Sequence, residues 1–323
     1  MTTQAVPLSP GKVPWGRARL DRATLAIVAA SLVLWWLSTF HAAAMPAWAP
    51  WDFSFSWFFA TAFSLLWYAR GLKRQVVDAR PAHWRSALFL LGVALIYGVL
   101  QTRFEYLAQH MFFLNRLQHV AMHHLGPFLI ALAWPWDTIL AGAPDLVRRV
   151  VATRIVQRVL HIARQPFLAA FLFVGLIALW LTPPVHFRAM IDPDLYLFMN
   201  WTMVGDGLLF WALVLDPRDK AVAGISFGMR ALLAVAIMFP QIVIGAIIAF
   251  AHTDLYSFYA WCGRIYPSIG PLDDQNYGGL IVWIPPAMMS VIALLVVLNA
   301  LRLSEERQPV GPEGAMPAPW TGR

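Results

Sequence analysis

Eight stretches of this chain, near residues 24–41, 53–69, 86–102, 117–140, 167–182, 195–215, 229–251 and 278–301, are apolar over about the length a helix needs to cross a bilayer. They are too long and too continuous for barrel strands, and backbone groups in hydrocarbon are satisfied only inside a helix or a closed barrel. The fold class that follows is all-α: a polytopic transmembrane helical bundle of about eight spans, a seven-helix core plus an N-terminal helix. With 59% hydrophobic and 13% charged residues, a soluble domain of this size is excluded. No internal repeat or low-complexity tract interrupts the runs. The expected division is a flexible N-terminus over 1–22, a transmembrane domain over 23–302 and a disordered tail over 303–323, rich in proline and glycine.

The formal charge of +7 does not indicate a nucleic-acid partner, because the basic residues segregate. When eight spans are assigned to alternate sides, 20 of the 24 Lys and Arg residues fall on one side, leaving Arg103, Arg116, Arg188 and Arg264 opposite. The positive-inside rule then puts both termini in the cytoplasm of a multi-pass protein of the bacterial inner (plasma) membrane, with the lipid bilayer as its partner. Arg17, Arg19 and Arg22 precede the first run and Ala42–Ala44 follow it, as in a signal peptide. That run exceeds the usual signal core, so a retained anchor is expected.

The same assignment puts His41, His110, His119, His123, His124, His186 and His252 at or near the outer face, and only His83 and His161 inside. Ionisable side chains near the hydrocarbon layer mark functional sites. His119 and His123 are four residues apart and project from one helical face, with Met122 beside them, a pattern that can grip one soft metal ion such as Cu(I). The alternative is that these rings hydrogen-bond across helices. His124 points to a different side of an α-helix and is the outlying candidate. His252, after the seventh run, is the histidine expected to converge with the pair.

A second stripe, Met199, Met203 and Asp206, follows i, i+4, i+7 spacing on the sixth run. An aspartate at that depth should face the bundle interior and have a partner. In the segment DDQNYGGLIVWIPPAMM, Asp273 or Asp274 is placed to cap a helix, Gly278 and Gly279 allow close helix contact, and Pro285 with Pro286 should kink the last helix. Cys262 has no cysteine to pair with. Two other functions fit these residues: a redox subunit with haem held between His119 and His252 in a slot at Gly126 and Gly245, and a metal or solute transporter built on Asp206 and the proline-interrupted last helix.

Over about residues 51–301 the order of features resembles the CtaG-like cytochrome c oxidase assembly proteins, membrane proteins linked to copper supply for haem-copper oxidases. The carrying residues are Gln118 and His119, followed eight positions on by PFLIALAWP from Pro127 to Pro135, similar to the family's QH and PPLLxLGxP. DQNYGGLIVWIP, with Asp274, Gln275, Gly278, Gly279, Trp283 and Pro285, is similar to DQxxGGLIMWVP. WYARGLKR and GLLFWALVLDP agree more loosely. The resemblance implies a non-enzymatic assembly factor that binds copper and passes it on, with terminal oxidase subunits or another copper chaperone as partners. His119 transfers from the family; His123 and His124 do not. Asn115 stands where the family usually shows a histidine, and Asn200 lies where it tends to carry one. Either His123 and His124 supply a site shifted one turn, or this branch has lost copper binding.

Overall fold

Capping residues in the sequence mark where the helices begin. In the computed structural model, which describes residues 21–307, Asp21, Thr102, Thr153, Asp192 and Ser226 each accept a hydrogen bond from a backbone N–H in the first turn of the helix that follows. Prolines open two others at Pro166 and Pro183, and Pro193 follows the Asp192 cap, where the missing donor does no harm. Most of the expected lead-in and tail lie outside the described residues. The tail boundary is corrected, because the last helix continues unbroken through 303–307.

The elements are α1 (Arg22–Phe40), α2 (Phe55–Arg74), α3 (His83–Gln101), α4 (Arg103–His110) and α5 (Phe112–His119). α5 passes through a π-helical turn, Val120–Leu125, directly into α6 (Gly126–Ala133). There follow α7 (Trp136–Gly142), α8 (Asp145–Val151), α9 (Arg154–Ala163), α10 (Pro166–Leu181), α11 (Pro183–Ile191) and α12 (Pro193–Val214). The chain ends with α13 (Lys220–Ala223), α14 (Phe227–Ala236), α15 (Met238–Ala249), α16 (Phe258–Cys262) and α17 (Pro271–Arg307). The described residues contain no strand.

Among the described residues, five rods are long and apolar enough to cross a membrane: α1, α3, α12, α14 with α15, and α17; two bent pairs raise the number to seven. The chain is a helical membrane protein. α2 has the length of a span at 20 residues but carries Arg70, Lys73 and Arg74 in its last turns and is less apolar than the five.

The expected single span over 117–140 is bent by 76°. Trp134 takes a left-handed conformation at φ 52° and Pro135 follows it, so α6 stops and α7 turns back onto α2. A Cβ on Gly142 would strike the carbonyl of Trp67, and one on Gly71 would strike that of Thr138, so two backbones touch at this crossing. Arg74 donates to Ala141 O at 2.8 Å across the same contact.

The second bend, 74° between α9 and α10, leaves α9 with exposed Ile155, Val159 and Ile162 beside Arg154 and Arg158. That pairing of apolar and basic faces suits the headgroup boundary. Nearby, buried Arg230 donates to the carbonyls of Asp216, Arg218 and Ile225, and Arg218 closes on the Asp216 carboxylate at 2.7 Å.

α17 is one helix of 37 residues that runs through Pro285 and Pro286 without a break. Those prolines cannot donate to Ile281 and Val282, but packing against α15, α14 and α5 holds the rod continuous.

Candidate metal site at the π turn

α5 has no cap of its own, since Met111 before it is extended and offers no side-chain acceptor. The acceptor comes from 162 residues away. Asp274 takes the N–H of Phe112 on Oδ2 at 3.0 Å and that of Phe113 on Oδ1 at 2.8 Å, and Arg264 pairs with the same carboxylate. The capping expected of this aspartate is therefore spent on a neighbouring helix, not on its own. Gln275 accepts from Leu255 N and donates to Ile248 O and Thr253 O, while Asn276 donates to Ala249 O. Gly278 lies under the ring of Phe112 and Gly279 against the backbone of Ala249, as close helix contact requires. Gln118 ties the other side of α5, donating to Val99 O at 2.8 Å and accepting from Tyr196 Oη at 3.1 Å. These clamps fix the depth and rotation of His119.

Pro127 explains the widened turn that follows. It has no N–H to give to His123 O, and Gly126 instead donates five residues back, to Ala121 O. Gly207 on α12 occupies the space beside the His123 carbonyl; a Cβ there would overlap it. The π turn takes more than the α-helical 3.6 residues, and this corrects the expected outlying position of His124. His123 and His124 sit together, Nδ1 to Nδ1 at 3.2 Å. His123 Nε2 reaches Asp206 Oδ2 at 3.3 Å, and His124 Nε2 reaches Gln241 Oε1 at 3.3 Å. Asp206 thus faces inward and has a partner. Phe173 stacks on the His123 ring at 4.2 Å.

His119, one turn earlier, is 6% exposed, and neither of its ring nitrogens has a partner among the described residues. It borders a small cavity of about 20 Å³ together with Arg116, Val120, His123, His124, Ile177, Trp180, Leu181, Met203, Val282 and Pro286. A space of that size holds about one water-sized sphere. No three His, Cys, Asp or Glu side chains close on a common point among the described residues. Four of the expected ligands do not line the cavity, Asp206 among them, which ends on His123. Met122 and Met199 are fully buried in the hydrophobic core, and His252 is exposed on the loop after α15. Gln241, the single polar residue of an otherwise apolar α15, was not picked out from the sequence, although a lone amide in such a run was its signal.

The haem slot is absent as well. A Cβ on Gly126 would meet Ile96 and one on Gly245 would meet Trp283, so both glycines are already covered. The larger cleft, about 410 Å³ between α11 and the 255–258 loop, is lined by one imidazole, His186. That ring is fully engaged: Nδ1–H donates to Trp180 O at 3.1 Å and Nε2 accepts from Tyr259 Oη at 3.0 Å.

The family model for cytochrome c oxidase caa3 assembly factors of the CtaG type matches residues 65–303, from the middle of α2 into α17. The chain belongs to that family. No curated protein and no solved structure matches it. The matched region of this CtaG-type assembly factor contains every residue of the clamps, the π turn and the cavity, and leaves out α1. Asn115, at the position where a family histidine was expected, directs its amide to Met190 Sδ at 3.8 Å and accepts from Arg116.

His186 carries a test of the packing around this site. Burial, with Arg116 nearby, pushes its pKa down to about 3. The unfolded chain then takes up a proton near pH 6.5 that the folded chain refuses, so stability is full above that value and falls as pH drops toward 3. Between pH 7 and pH 5 the loss from this ring is about 2 kcal/mol. Melting curves of wild type and His186→Phe should converge as pH falls; parallel curves would show that the ring is protonated in place.

Proposed function

We propose that this protein is a non-catalytic assembly factor that holds copper beside its π turn and hands it to a haem-copper terminal oxidase. The observation that carries the reading is His119, buried with both ring nitrogens unpartnered, at a cavity also bordered by His123, His124 and Met203. A buried polar group without a partner is rare and calls for a ligand or a water. Imidazole with thioether is a donor set for Cu(I), and low coordination by His119 and Met203 suits a cargo that must leave again. His123 and His124 have hydrogen-bond partners on all four ring nitrogens, so they serve as second-line ligands that would exchange Asp206 or Gln241 for the ion. Copper enters and leaves as cargo, and the chain's own part is to hold, orient and release it.

The segregation of basic residues supports eight spans with both termini cytoplasmic in a bacterial inner membrane. On that topology the clamps at Arg264 and Asp274 lie at the periplasmic end, and copper would arrive from the periplasm. Oxidase subunits and a periplasmic copper carrier are the partners that fit.

Loading the detergent-purified protein with Cu(I) tests the reading. Wild type should retain copper stoichiometrically, and His119→Ala should lose affinity by more than the roughly 10–100-fold typical when a supporting residue is removed. Cells carrying His119→Ala should show reduced oxidase activity with normal amounts of the protein in the membrane. Undiminished copper and full oxidase activity in the variant would overturn the assignment.

A further inference from the structure

The cavity at the π turn has a second unmet demand, of the opposite sign. Arg116 is 3% exposed and forms part of the wall beside His119. Its Nη2 donates to Asn115 Oδ1, and its guanidinium carbon stands 5.1 Å from the Phe112 ring centre. Nε has no partner, and no carboxylate lies within ion-pair distance among the described residues. Arg230 and Arg264 also leave Nε without a partner among the described residues, but their Nη atoms meet three backbone carbonyls and the Asp274 carboxylate respectively, whereas Arg116 has only the Asn115 amide oxygen. A guanidinium stays charged in any protein setting, and a buried charge without a counter-ion is strongly destabilising.

We infer that the cavity is a binding site for one small monovalent anion, chloride in physiological media, held between Arg116 and His119. The size agrees, since about 20 Å³ accommodates a single small ion. The donors agree too. Arg116 Nε–H and one N–H of a neutral His119 are unpartnered and buried at the same wall, and a neutral imidazole always carries one such proton. Ile177, Leu181, Val282 and Trp180 complete a dry lining in which a charge-assisted hydrogen bond is strong. The site does not depend on copper. A space for one ion holds chloride or copper in turn, so chloride leaves when copper is loaded beside His119.

The experiment uses the full chain in detergent, washed into chloride-free gluconate buffer with no copper present, and measures retention of radioactive chloride. One chloride per chain is expected, with a rise in melting temperature of about 5 °C at a hundredfold excess over Kd. Arg116→Gln should lose the chloride and the thermal response together. No chloride in wild type, or equal chloride in a folded Arg116→Gln, would overturn the site. If that variant does not fold, crystals of wild type grown in bromide decide: an anomalous peak in hydrogen-bond reach of Arg116 Nε supports the site, and no peak there rejects it. Because copper is absent throughout, failure here leaves the copper reading standing, and failure of copper loading leaves this result standing.

Discussion

Asp274→Ala is expected to destabilise the protein by about 3–5 kcal/mol, the largest effect of any single side chain in the clamp around α5. Three losses coincide. Arg264 is left as a buried guanidinium facing no charge, the N–H of Phe112 loses its acceptor, and so does that of Phe113. Removal of one partner of a buried ion pair accounts for most of the figure, and loss of a helix cap adds about 1 kcal/mol. Asp274→Asn separates the two contributions. Its amide oxygen can still accept one N–H but cannot neutralise Arg264, so it should recover only the smaller part. Thermal melts in detergent measure both variants, with the double change Asp274→Ala, Arg264→Ala as control. If the double variant is no more stable than Asp274→Ala alone, the charge argument fails and the cap carries the effect.

Gly207→Val is expected to lose more than about 3 kcal/mol, and Gly207→Ala about 1–3 kcal/mol, the range for overpacked interiors. A Cβ at this position overlaps the carbonyl of His123, a backbone atom that cannot rotate away. Relief requires α12 to move off the π turn. Asp206 is the residue before Gly207, so that movement also stretches the 3.3 Å contact between Asp206 and His123. Gly205→Ala is the paired control, because nothing stands within 4 Å of a Cβ there. Equal melting temperatures for the two alanine variants would contradict the close approach.

The residues that could be read in advance were those whose role is set by local pattern. Apolar runs of membrane length gave helices wherever hydrophobicity persisted, and Asp206 was expected to find a partner because hydrocarbon offers none. Gly278 and Gly279 were expected at a helix contact and are found there, against Phe112 and Ala249. What could not be read depends on chain segments far apart in sequence. No local pattern says that Asp274 caps a helix 162 residues earlier, or that α5 needs it because Met111 cannot serve. The grouping of His123 with His124 rests on a one-residue widening, which α-helical spacing misplaces. His252 was paired with His119 by depth alone, and depth does not distinguish a buried wall from an exposed loop. The continuity of α17 through two prolines reflects neighbours on several sides, which local geometry does not contain.

The wall of the cavity at Val282 and Pro286 belongs to α17, and so does the clamp at Asp274. Helices of a chain leave the ribosome in order, and the earlier ones begin to pack before the later ones exist. α5, the π turn and α12 can therefore meet in the membrane while the last rod is still being made, but His119 lies against an open side and α5 begins without its acceptor. The site closes only when α17 arrives. Synthesis order thus makes this site a late event, so a chain stalled before α17 would present its histidines unenclosed.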